Sequence, residues 1–210
     1  MKIVFDEGRV VVVDKDSGVT SEEVARVLAR RLVHRIDRGT SGLLMLADDA
    51  RTVTRMQRAL RAGNVERTYC CVAHGFVVRG TRESYLVRNR GDGLRGSDGS
   101  GAGKLAVLEV TRSEQTPDRR ASMCEVRLVT GRTHQVRIQL AEAGHPLVGE
   151  TVYVRDARAA GLALLDARRL MLHAMALRFR HPNTKLDVLV RSALPVEFRV
   201  LVSETEAAME

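Results

Sequence analysis

The sequence predicts an α+β fold in which short, mostly antiparallel strand pairs form a mixed sheet flanked by a few amphipathic helices. Two observations carry that prediction. Runs of β-branched and alternating residues recur in pairs separated by turn-forming residues, while helical spacing of apolar side chains appears in only three stretches. A third observation sets the scale: 210 residues with 44% hydrophobic side chains can bury one sizeable core or two small ones. With no repeat and no clear linker, residues 1–203 read as one two-lobed domain and 204–210 as an acidic, frayed tail.

Taken in order, Lys2 to Phe5 and Arg9 to Val13 are strand candidates split by the turn Asp6-Glu7-Gly8. Thr20 and Glu23 match a capping box, and Val24, Val27, Leu28 and Leu32 then share one helical face, which predicts a helix over about 20–31. Leu43 to Ala47 is a buried strand. Asp48 or Asp49 caps a second helix that stops at Gly63, with Val53, Met56 and Leu60 inward and Arg51, Arg55 and Arg58 on the opposite face. That basic stripe fits either a phosphate track or a solvated helix face, the commoner meaning of such spacing. Arg67 to Phe76 and, more weakly, Glu83 to Val87 read as strands, and Asp92 to Gly103 as a flexible surface loop. Leu105 to Arg112 and Ala121 to Val129 form an antiparallel pair. A short helix opens after Gly131-Arg132-Thr133-His134 and stops at Gly144, and Leu172 to Arg180 pairs with Lys185 to Val190 around His181-Pro182-Asn183-Thr184.

Composition narrows the function classes. A net charge of +8 carried mostly by arginine points to a polyanionic partner, although a basic balance also simply maintains solubility. Scarce aromatics (no Trp, three Tyr, four Phe) argue against a broad stacking platform for single strands. Cys70, Cys71 and Cys124 have neither CxxC spacing nor an even count, which disfavours a disulfide framework or structural zinc and suits a reducing compartment. No secretory signal, membrane span, Walker loop or GxGxxG is present.

The chemistry centres on His34-Arg35-Ile36-Asp37-Arg38-Gly39-Thr40-Ser41-Gly42. A Ser-His-Asp triad is disfavoured because the local pattern is not Gly-x-Ser-x-Gly and no oxyanion loop stands out. The six histidines lack HExxH or a cysteine partner at metal spacing, so no metal site is expected. An aspartate beside positive charge stays ionised, as a nucleophile must. The residues alone leave two readings of Asp37: a nucleophile, or an acid that caps a turn and pairs structurally with Arg35, Arg38 or Arg137.

The stretch His34-Arg35-Ile36-Asp37-x-x-Thr40-Ser41-Gly42-Leu43-Leu44 resembles the catalytic motif of the RluA/RsuA-type pseudouridine synthases, closest to RluA-like members without an S4 domain. Further matches follow in order: Arg67-x-Tyr69; Gly131 to Arg137 with Gly144-His145-Pro146-Leu147-Val148-Gly149; and Leu172-His173-Ala174 with His181-Pro182. The resemblance implies the pseudouridine synthase fold, with a central cleft between the two halves of the sheet, and conversion of an RNA uridine to pseudouridine without metal or organic cofactor. By it, Asp37 is the nucleophile, Arg137 its charge partner, and Tyr69 the ring that stacks on the flipped uracil and takes part in proton transfer. Arg35 enters the RNA stack, Thr40 shapes the turn that holds Asp37, and Lys15, Arg38, Thr40, Arg132 and His134 join Arg35 as the expected RNA-binding set. The expected partner is ribosomal or transfer RNA, also within pre-ribosomal particles, and not a membrane. The protein is expected to be a monomer outside such particles, in the cytoplasm, or in the mitochondrial matrix if a presequence is missing.

Two departures from the family pattern stand out. Lys15-Asp16-Ser17-Gly18 occupies the place of Lys-Pro-x-Gly, and the segment from Gly18 to His34 is shorter than usual. They motivate a rival reading, a non-catalytic RNA-binding or ribosome-assembly factor that retains the synthase fold.

Overall fold

A two-residue turn starts the sheet. In the computed structural model, which describes residues 1–198, β1 (Lys2–Glu7) pairs antiparallel with β2 (Val10–Lys15). Gly8 and Arg9 both take positive φ, 52° and 73°, the left-handed geometry that matches the twist of a tight hairpin. The turn therefore lies slightly beyond the expected Asp6-Glu7-Gly8. The acidic tail expected after Ser203 lies outside the described residues.

The chain divides into two compact units: Met1–Tyr69 with Leu172–Ala193, and Cys70–Met171 with the chain from Leu194. In the first, Val10 to Val13 are all buried because the sheet is covered on both faces. Val10 and Val12 pack with Leu43, Met45, Met56 and Phe179, while Val11 and Val13 pack with Val24, Leu44 and Leu46. Helix α1 (Ser21–Val27) carries the capping box, with the Thr20 side chain accepting from the Glu23 amide and the Glu23 carboxylate accepting from the Thr20 amide. It ends earlier than the apolar spacing predicts, because Ala29 turns left-handed (φ 52°) and the chain enters β3 (Arg31–Leu32), so Leu32 belongs to a strand. β4 (Ser41–Ala47) is wholly buried and lies antiparallel to β2 and parallel to β10 (Leu172–Arg180), which makes the sheet mixed. β10 pairs with β11 (Asp187–Arg191) around the expected His181–Thr184 turn.

Asp49 caps α2 (Ala50–Arg61), its side chain accepting from the Thr52 amide at 2.8 Å. Met56 is buried, Val53 and Leu60 pack on the core, and Arg51, Arg55 and Arg58 are exposed. β5 (Val65–His74) then carries the chain out of the first unit at Tyr69.

The second unit has strands β6 (Gly80–Val87), β7 (Gly96–Ser97), β8 (Lys104–Gln115) and β9 (Ala121–Leu128), in the order β9-β8-β6-β7. All three pairings are antiparallel. Helix α3 (Gln135–Glu142) packs Ile138 against Leu86 and Ala106, and its end is closed by Gly144 in left-handed geometry (φ 85°). The short helix α4 (Arg155–Ala159) was not expected. The Asp92–Gly103 segment, expected to be flexible, contains β7 and is tied down: Asp92 pairs with Arg90 at 3.0 Å and Arg155 at 2.9 Å, and the Ser97 amide donates to Glu142 at 2.6 Å.

Candidate active site

Asp37 lies on a turn between β3 and β4 that hydrogen bonds hold from both sides. The Thr40 amide donates to the Asp37 carbonyl at 3.0 Å, closing the turn itself. Upstream, the Ser21 hydroxyl donates to the Ile36 carbonyl at 2.9 Å and accepts from the Ile36 amide at 3.1 Å. Downstream, the Gly18 amide and carbonyl bind the Arg38 carbonyl and Nε, both at 2.8 Å, and the Ser17 hydroxyl donates to the Gly39 carbonyl at 2.7 Å. The aspartate itself is partly exposed, so backbone order and side-chain access coexist there.

Lys15, at the end of β2, completes the clamp. Its side chain is buried, and the ammonium donates to the carbonyls of Asp16 at 2.9 Å, Val19 at 2.7 Å and Arg38 at 3.4 Å. A charge engaged this way joins the loop over 15–19 to the Asp37 turn. Thr40 is likewise buried, with its hydroxyl lacking a hydrogen-bond partner among the described residues. Arg35 and Arg38 are exposed, with Arg35 at 3.2 Å from Glu22 in a solvated ion pair of little net worth.

Alternation along β5 puts Val65, Arg67 and Tyr69 on one face, all three buried. Burial pushes the Tyr69 phenol up to about 12; Arg67 opposes the shift and Asp37 reinforces it. Tyr69 is thus a neutral donor at physiological pH, electrostatically coupled to Asp37. His34 Nε2 accepts from the Met45 amide at 3.1 Å, and burial together with the Arg67 charge holds its pKa down to about 4. Arg67, His34, Asp37 and Tyr69 all belong to the first unit.

In the second unit, Arg137 projects from α3 and is buried. Its Nε and Nη2 donate to the two carboxylate oxygens of Glu150 at 2.7 and 2.8 Å, and its guanidinium lies 5.3 Å from the centre of the Tyr153 ring. Glu150 is fully buried; that burial would raise its pKa, yet the Arg137 bonds and the amides of Val152 and Tyr153 hold it below the usual range. His134 sits in left-handed geometry (φ 57°) with Nδ1 2.7 Å from the Tyr153 hydroxyl, and Arg132 is exposed, its Nε donating to the Leu105 carbonyl at 2.8 Å. Sequence reasoning missed Glu150, which follows directly on the Gly149 that ends the recognised stretch, and gave Arg67 no role. Gly149 itself is required: a Cβ there would meet the Arg169 carbonyl.

The family model described as RNA pseudouridylate synthase matches residues 9–142, a span that includes Asp37, Tyr69 and Arg137. Ribosomal large subunit pseudouridine synthase D of Pseudomonas aeruginosa is 28% identical, over 97% of this chain and 71% of its own. The protein of the same name from Vibrio parahaemolyticus is 32% identical, over 88% of this chain and 58% of its own, so the chain spans 58 to 71% of the length of these two relatives. The solved structure of human RNA pseudouridylate synthase domain containing 1 superposes with a TM-score of 0.72 at 26% identity, covering 92% of this chain and 83% of that one. Fold, motif order and family model therefore agree: the chain belongs to the RNA pseudouridylate synthase family.

Proposed function

We propose that this protein isomerises a uridine of structured RNA to pseudouridine, with large-subunit ribosomal RNA as the first substrate to test and transfer RNA the second. Asp37 serves as the nucleophile. The Asp37 carboxylate bonds to C1′ as the C1′–N1 bond breaks, the detached uracil turns within the pocket, and C5 bonds to C1′ as the carboxylate leaves; the C5 proton is lost and N1 takes one up, so the product is an isomer. No redox step occurs, and the protein's task is to position, shield and activate.

The observation that carries this reading is the clamped yet accessible turn of Asp37 beside a buried, neutral Tyr69. A nucleophile needs a fixed backbone and an open side chain, whereas an acid that merely caps a turn needs no coupled phenol. Tyr69 stacks on the flipped base and donates from its hydroxyl. Glu150 orients Arg137 on α3, and Arg35 fills the space vacated by the flipped nucleotide. Arg38, Arg132 and His134 contact the RNA backbone.

The rival, non-catalytic reading drew on Asp16. That carboxylate is exposed, and the Asp16 carbonyl serves the Lys15 clamp, so the altered stretch still supports the Asp37 turn. Replacing Asp37→Asn tests the proposal: isomerisation falls by about a thousandfold or more, about 4 kcal/mol, while RNA affinity is kept. Tritium release from large-subunit rRNA transcribed with [5-3H]uridine, alone or in pre-ribosomal particles, reads the first; filter retention reads the second. A variant that still isomerises at the normal rate removes Asp37 from the chemistry.

A further inference from the structure

Three buried cations lie in or beside the motifs, and their environments differ. Lys15 faces three carbonyls and Arg137 faces a carboxylate. Arg67 is 9% exposed and has no ion pair or hydrogen bond from its guanidinium among the described residues, where its Nε is buried without a partner. A buried charge without compensation opposes folding, so its retention calls for a ligand that completes it.

The surroundings of Arg67 define that ligand. Strand alternation places its side chain on the same face as Tyr69, the ring proposed to stack on the base, and Tyr69 senses both Arg67 and Asp37. His34, also beside Arg67, is held neutral, so it supplies no counter-anion. When the C1′–N1 bond breaks, the bonding pair leaves with the base, and the detached uracil carries a negative charge spread over N1, O2 and O4. It loses that charge when C5 bonds to C1′, the C5 proton departs and N1 is protonated. The RNA backbone is left to exposed cations such as Arg38.

We infer that Arg67 is the electrostatic partner of the detached uracil, its guanidinium bonding a carbonyl oxygen of the base while that base is anionic. The inference rests on the synthase reading above and deepens it. Such an interaction is stronger in the transition state than with the bound substrate, so it shows in the rate and not in RNA affinity.

The test compares Arg67→Met and Arg67→Lys with the wild type, using single-turnover tritium release at saturating [5-3H]uridine-labelled large-subunit rRNA, filter binding, and thermal melts. Arg67→Met slows isomerisation about a hundredfold or more, the size expected for removing one donor to a developing anion. Its RNA affinity stays within about threefold, and it melts at or above the wild-type temperature because an uncompensated buried charge has gone. Arg67→Lys, which keeps the charge, remains within about tenfold of the wild-type rate. A wild-type rate in Arg67→Met, a loss confined to RNA affinity, a melt several degrees lower, or a lysine variant as slow as the methionine one each overturns the inference. Wild-type protein that releases no tritium from any RNA fails at the earlier step and sinks the synthase reading itself.

Discussion

His34 shows how one half-buried group ties local geometry to the behaviour of the fold. Its Nε2 accepts from the Met45 amide, so the ring must be neutral with its proton on Nδ1, and burial plus the Arg67 charge lower its pKa from 6.5 to about 4. Because the folded pKa is depressed, the unfolded chain takes up the proton first as the pH falls. Stability from this group is complete above about pH 6.5 and is lost progressively down to about pH 4, at about 1.4 kcal/mol for each pH unit between those two limits. Between pH 7 and pH 5 the wild type should lose about 2 kcal/mol more stability than His34→Gln, whose side chain can still accept from Met45 but does not titrate. Urea unfolding at the two pH values measures it, and equal losses in both proteins would place the pH dependence elsewhere.

At the scale of elements, the pairing of β4 with β10 imposes the tightest local demand. Gly42 sits at φ 102° opposite Ala174, and a Cβ there would run into the Ala174 backbone, which cannot yield as a flexible side chain can. Gly42→Ala should therefore cost about 4 kcal/mol or more, seen as a large drop in melting temperature or loss of soluble protein. Elements of this kind were legible in the sequence where local signals agree: the Thr20–Glu23 box, the Asp49 cap, the Gly144 stop and the long strands. The two-residue strands β3 and β7 were not, because pairs so short carry no periodicity and exist only through their neighbours. The same distinction governs the site. Asp37, Tyr69 and Arg137 stand out by motif, whereas the burial of Lys15 and Thr40 and the Arg137–Glu150 pair depend on tertiary packing that residue type does not reveal.

For the whole molecule, the net charge of +8 is the property that RNA meets first. Its arginines nevertheless divide by what surrounds them. Arg67 and Arg137 are withdrawn from solvent, Arg38 and Arg132 are exposed with one backbone bond each, and Arg51, Arg55 and Arg58 line a solvated face of α2. With so few aromatic side chains to stack on bases, affinity should come mainly from phosphate neutralisation and counterion release, and should fall steeply with salt. Each phosphate contact adds about 0.7 to 0.9 to the slope of log affinity against log salt, so Arg38→Gln with Arg132→Gln should flatten that slope by about 1.5. The triple change of Arg51, Arg55 and Arg58 to Gln should alter it by less than about 0.5, because a helix face solvated in this way makes no lasting phosphate contact. Filter binding of large-subunit rRNA transcript across a potassium chloride series separates the two sets. A flattening of about 2 in the α2 triple variant would instead make that helix the RNA track.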